Sequence, residues 1–292
     1  MVGARAVVLA SLILTTGSVA FTLLVLPRQP SELRAPPLLT LPPAVGLWAA
    51  FALVTVAPAR LYLQARGLVD VGDPAWPMAA NVLGTTWGRA WGVQLAGAAM
   101  ALTGFRFTRH GKRSGRPLAL AGTLALIGAA PFMGHAAGSD RLLWLSVAND
   151  ALHVAVVGAW VGTLCVLAAA AGMLRRATRG GEAISSLVTA FHPLALRSSG
   201  LVIASGVVGL LLRVPHLSSL LGSPYGNVFL VKACAVAGVA GFGAYHARAG
   251  ARRAAGGRPI AVARSLAGEA TLAVLTILVT AVLVGTDPPD PM

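Results

Sequence analysis

An aspartate and a histidine stand three residues apart in an otherwise apolar run, Asn149-Asp150-Ala151-Leu152-His153, followed by Trp160 and Gly162. In a helix, spacings of three and seven put Asp150, His153 and Trp160 on one face. A carboxylate beside an imidazole can share a metal ion with it, or fix its tautomer while the imidazole binds the metal. The preceding apolar run ends Pro131-Phe132-Met133-Gly134-His135-Ala136, which brings a thioether and a second imidazole a short connection away. Imidazole with thioether suits copper, Cu(I) above all, better than magnesium or calcium. These residues predict a metal site of Met133, His135, His153 and Asp150, with Trp160 in support. The competing expectation is that Asp150 and His153 bond to one another and to neighbouring helices as polar glue.

A second set, His192, Arg197, Tyr245, His246 and Glu269, falls near the opposite ends of later apolar runs. His192 and His246 are candidates for a lower relay or exit site. Arg197 and Glu269 lie one to two turns inside their runs and are expected to pair as structural ions. Lys232 either snorkels to the interface or repels cations at the mouth. Cys165 and Cys234 lie inside apolar runs, which argues against a disulfide framework and reads as small buried hydrophobes or a soft-metal contact. There is no GxxxxGK[ST] phosphate loop, no HExxH and no Cys-x-x-Cys, so ATP-driven pumping and zinc proteolysis have no support.

Positioning these groups falls to membrane helices. Of 292 residues, 56% are hydrophobic and 11% charged, with mean hydropathy +0.76, far from the quarter or so charged that soluble domains carry. Eight stretches of roughly 20 apolar residues are long enough to cross a bilayer: about 4–26, 42–65, 82–104, 118–137, 143–173, 189–212, 227–246 and 265–284. The first is expected to be a retained helix and not a signal peptide, because its apolar run continues through Leu26. Prolines such as Pro42, Pro43 and Pro117 are expected at helix ends.

The net charge of +14 follows the same plan. Connections 27–41, 105–117, 174–188 and 247–264 hold 2, 5, 3 and 5 Arg or Lys, whereas the alternate ones hold Arg66, Arg141 and Arg213, with Arg5 at the N-terminus. That alternation predicts a multi-pass protein of the cytoplasmic membrane with both termini outside. It also explains the positive charge without nucleic acid, for which no motif is present. Residues 83–93 align without gaps on 221–231, and each segment opens a helix. The echo suggests two four-helix repeats, 1–138 and 139–292, within a single membrane domain. Trp87, Trp91 and Tyr225 also fit an interfacial aromatic belt.

Taken in order, the motifs resemble the copper resistance protein D (CopD-like) family. They are Trp87-Gly88-Arg89-Ala90-Trp91, Gly134-His135-Ala136, His153 with Trp160-Val161-Gly162, Phe191 and Ala195, Tyr225-Gly226, Lys232, Glu269 and the Leu283–Pro289 ending. The resemblance spans nearly the whole chain, and departs from the family at His192 and in a low methionine content. It implies an all-α integral membrane bundle that carries copper ions into the cell in copper homeostasis or resistance. An extracytoplasmic copper-binding protein is implied as the donor, since no soluble domain is expected within these residues. Two other functions stay open: a haem b-binding redox protein with His135 and His153, or His192 and His246, as axial ligands, and a partner delivering copper to an oxidase during assembly. Apart from haem-dependent redox chemistry, no enzymatic activity is expected.

Overall fold

The computed structural model describes residues 2–134, 142–214, 217–220, 222–245, 248, 252–253, 256 and 258–286. These form helices and short turns, with no strand among the described residues. Backbone groups in hydrocarbon must bond within their own segment, and long apolar helices satisfy that requirement. The described residues hold eight long helices: α1 (Val2–Ala20), α2 (Pro36–Arg66), α3 (Thr86–Arg109), α4 (Gly115–Ala129), α5 (Leu143–Leu174), α6 (Gly180–Arg213), α7 (Pro224–Tyr245) and α8 (Pro259–Leu283). Seven of these spans, counting the turns that extend α1 and α4, are long and apolar enough to cross a membrane. The eighth, α3, has 24 residues but is more polar, with Arg89, Gln94 and Arg106 along it.

Several boundaries differ from expectation. The third stretch begins too early at residue 82: residues 82–83 end a short separate helix, Ala75–Leu83, and Thr85 caps α3 by accepting from the Gly88 amide. Pro42 and Pro43 lie inside α2, which starts on Pro36. Helix α6 begins at Gly180 and runs for 34 residues, about 50 Å against a hydrocarbon core of about 30 Å. Arg213, expected in a connection, is therefore the last residue of a helix.

Helix α1 lies centrally, against α2, α5 and α8. Its buried hydroxyls bond back to their own helix, Thr15 to the Ser11 carbonyl at 2.7 Å and Thr16 to the Leu12 carbonyl at 2.8 Å, so they cost little in an apolar core. Helices α1 and α5 meet where Gly17 faces Gly162. A Cβ on either glycine would overlap the other helix's backbone. Gly158, one turn earlier on α5, likewise meets Thr16 of α1, the close helix approach that small residues permit. Both helices contain a five-residue π turn, Phe21–Val25 in α1 and Gly158–Gly162 in α5. At the start of α1, the Arg5 guanidinium lies against Gly285 beyond the end of α8. The first and last described segments therefore reach the same side of the bundle, called the terminal side below.

The two echoed segments also build the same turn. Thr85 Oγ1 donates to the Val82 carbonyl at 2.7 Å and accepts from the Gly88 amide at 3.1 Å. Ser223 Oγ donates to the Leu220 carbonyl at 3.0 Å and accepts from the Gly226 amide at 3.0 Å. In each turn the space for a Cβ on the glycine is filled by the carbonyl six residues earlier.

Candidate functional site

Two groups of polar side chains sit at the terminal side. The first joins α5, α6 and α7. Asp150 accepts from Arg213 Nη2 through both carboxylate oxygens, at 2.6 and 2.5 Å, and both side chains are about three-quarters buried. Asn149 Nδ2 donates to the Ser205 carbonyl at 3.0 Å. His153 Nδ1 is 2.8 Å from Ser205 Oγ, and its ring packs over Gly206. Lys232 of α7 lies within electrostatic reach of His153, Arg213 and Asp150, and Tyr225 within reach of Arg213 and Asp150.

The hydrogen bonds around Ser205 fix the state of His153. The Ser205 hydroxyl has one hydrogen, which goes to the Leu201 carbonyl at 2.6 Å. Toward His153 the oxygen therefore accepts, and Nδ1 carries the hydrogen. In the neutral ring the free lone pair is then on Nε2. Nε2 has no hydrogen-bond partner among the described residues. This is the arrangement that metal-binding histidines use, one nitrogen held by a protein oxygen and the other free to ligate. Spacing within α5 points to Asp150 for the holding role. Ser205 takes it, because Asp150 is engaged by Arg213.

The second group joins α2, α3 and the turn after α4. Arg60 Nη1 donates to Gln94 Oε1 at 2.8 Å and approaches the Met133 sulfur at 3.7 Å. Its guanidinium stands 5.6 Å from the centre of the Trp87 ring, and Trp91 Nε1 donates to the Ala57 carbonyl at 3.0 Å. Arg5 is the other charged group within electrostatic reach of Arg60. Met133 thus lies beside a cation.

The remaining predicted residues are dispersed. Trp160 is buried in the core at 3% exposure, and its Nε1 has no hydrogen-bond partner among the described residues. The π turn at Gly158–Gly162 breaks the helical period between it and His153. Arg197 is exposed and Glu269 is 2% exposed, and the expected pair between them is not formed. His192 is exposed on α6, toward the end away from the terminal side. His135 and His246 lie outside the described residues, so the relay and haem-ligand pairs that include them do as well. Among the described residues no three His, Cys, Asp or Glu side chains gather as a metal-binding group.

A family model described as copper resistance protein D matches residues 185–283, and one described as the copper resistance protein D-like N-terminal domain matches residues 1–143. The chain belongs to the copper resistance protein D family. Membership gives this membrane protein a role in copper resistance and homeostasis. Arg60, Gln94 and Met133 fall inside the N-terminal match, and Ser205, Arg213, Lys232 and Glu269 inside the other. Asp150 and His153 fall between the two. No curated protein and no solved structure matches the chain.

Arg60, Arg213 and Ser205 escaped the sequence reading, each for its own reason. Arg60 sits six residues before the end of α2 and looked like part of an ordinary apolar run, although an arginine there is a signal in itself. Arg213 falls among the connections when the apolar run is ended at residue 212, one residue before α6 ends. A serine inside an apolar helix carries no visible mark until its partner is known.

Proposed function

We propose that this copper resistance protein D relative moves copper ions across the cytoplasmic membrane, and that His153 Nε2 is a ligand at the entrance on the terminal side. The observation that carries the reading is the Ser205-held tautomer, which leaves a lone pair free at a polar site in the bundle. Copper here is cargo, so a site poor in ligands has an advantage: an ion must bind well enough to enter and weakly enough to leave. His135 would complete the ligand set, and a separate copper-binding protein would hand over the metal. We take the terminal side to be extracytoplasmic, which the arginine distribution supports. Asp150 then acts on the entrance through charge. It neutralises Arg213, which would otherwise stand with Lys232 as a second cation facing the ion.

The test is copper accumulation in cells making the wild type, His153→Ala or Ser205→Ala at equal levels in the membrane. Accumulation is expected to fall to the empty-vector level in His153→Ala and about tenfold in Ser205→Ala, the size of effect typical of a residue that orients a metal ligand. Wild-type accumulation in His153→Ala would remove His153 from the path.

We also infer that residues 1–138 and 139–292 are two copies of one four-helix unit. The matched Thr85–Gly88 and Ser223–Gly226 turns and the matched π turns of α1 and α5 support it.

A further inference from the structure

Arg60 presents an electrostatic problem that the copper role leaves untouched. A guanidinium inside a membrane bundle is expensive unless a counter-ion or strong acceptors satisfy it. Of its five N–H donors, one group bonds Gln94 Oε1 at 2.8 Å, and the same nitrogen approaches the weakly accepting Met133 sulfur at 3.7 Å. The Trp87 face adds a cation–π contact at 5.6 Å. No carboxylate pairs with it among the described residues. The other charge within reach is Arg5, a second cation. The opposite cluster resolves the same difficulty internally, with Asp150 on Arg213. Counting back along the gap-free alignment, the α1 position corresponding to Asp150 is Leu12, and counting from the π turns it is Ile13. Both are apolar and buried.

We propose that Arg60, with Arg5 and Gln94, forms a binding site for a phosphate-bearing anion at the terminal-side interface. Planar guanidinium donors match phosphate oxygens. Gln94 fixes one nitrogen of the fork and leaves the remaining donors of Arg60 for the anion. Arg60 lies six residues, about 9 Å, from the end of α2, and Trp87 stands beside it. That depth is where lipid headgroups meet aromatic side chains. An anionic phospholipid and free inorganic phosphate present the same chemistry, and the experiment separates them.

Purified full-length protein is placed in nanodiscs of phosphatidylcholine alone, or of phosphatidylcholine mixed with phosphatidylglycerol, and its thermal midpoint is measured with and without inorganic phosphate. Wild type is expected to gain about 3 °C from phosphatidylglycerol, the scale of shift that a ligand well above its Kd gives a chain of this size. Arg60→Gln should lose the gain and Arg60→Lys should keep part of it. Gln94→Glu places a carboxylate on Arg60 in the same shape, and is expected to raise the midpoint in phosphatidylcholine and abolish the response to phosphatidylglycerol. A gain from inorganic phosphate alone, lost in the same variants, supports the site with a free ion as its ligand. Equal midpoints in both lipids without a response to phosphate, or a gain that survives in both Arg60→Gln and Gln94→Glu, overturns the proposal.

Discussion

The two polar clusters of the terminal side solve opposite problems. Around α5 and α6, two cations, Arg213 and Lys232, share one carboxylate, and a histidine is left with a free lone pair. Around α2 and α3, two cations, Arg5 and Arg60, share none among the described residues, and the acceptors are an amide, a thioether and an indole face. Trp87 stands where Tyr225 stands in the gap-free alignment, and Gln94 where Lys232 stands one residue beyond it, whereas Arg60 and Arg213 do not correspond at that offset. What differs is where the compensating negative charge comes from. One cluster carries it in the chain; the other, in our reading, takes it from outside.

That contrast can be broken most forcefully at Asp150. Asp150→Ala leaves Arg213 and Lys232 without their carboxylate, and should cost about 3–5 kcal/mol in detergent unfolding. Asp150→Ala combined with Arg213→Leu should recover most of the loss. A single variant as stable as wild type would mean that the pair does not compensate charge. The glycine crossing shared by both halves comes next. Gly162→Ala drives a methyl group into the α1 backbone at Ile13 and Gly17 and should cost about 1–3 kcal/mol, read in the same unfolding assay.

The matched turns sharpen the comparison further. Gly88→Ala and Gly226→Ala meet the same obstacle, a carbonyl six residues back, and should destabilise by similar amounts, about 1–3 kcal/mol each. A large effect in one and none in the other would count against repeated units. The smallest change in stability belongs to Ser205→Ala, about 0.6 kcal/mol, as for hydrogen bonds between membrane helices in general. Its effect on copper accumulation should be far larger. That split separates a residue that orients a ligand from one that holds helices together.

The helices were legible in the sequence because hydrocarbon imposes a single demand, a long apolar run, and α2, α5 and α8 met it openly. Helix α3 is legible as an apolar stretch that ends at an arginine-rich connection, although its own polarity is higher than its neighbours'. Pairings were harder to read. Asp150 and His153 adjoin on one helix, and the natural guess bonds them to each other. Helix α6 instead offers each its own partner, Arg213 and Ser205, and no spacing within α5 can reveal that. Arg197 and Glu269 failed the same way: each lies in the expected stretch, but one faces outward and the other into the core. Sequence period places a side chain on a face of its own helix, and packing decides what that face meets.

The π turn of α5 sets the angular phase of everything after it. A regular helix advances about 100° per residue, and Gly158–Gly162 inserts one residue's worth of extra winding. Leu164, Leu167 and Ala171 point into the core only because of that offset, while Asp150 and His153, ahead of it, address α6. Deleting one residue from the turn would restore a uniform helix and swing its lower half by roughly a quarter of a revolution. The polar upper half and the greasy lower half of α5 are therefore aimed independently, by a length of chain that contributes no polar side chain to either.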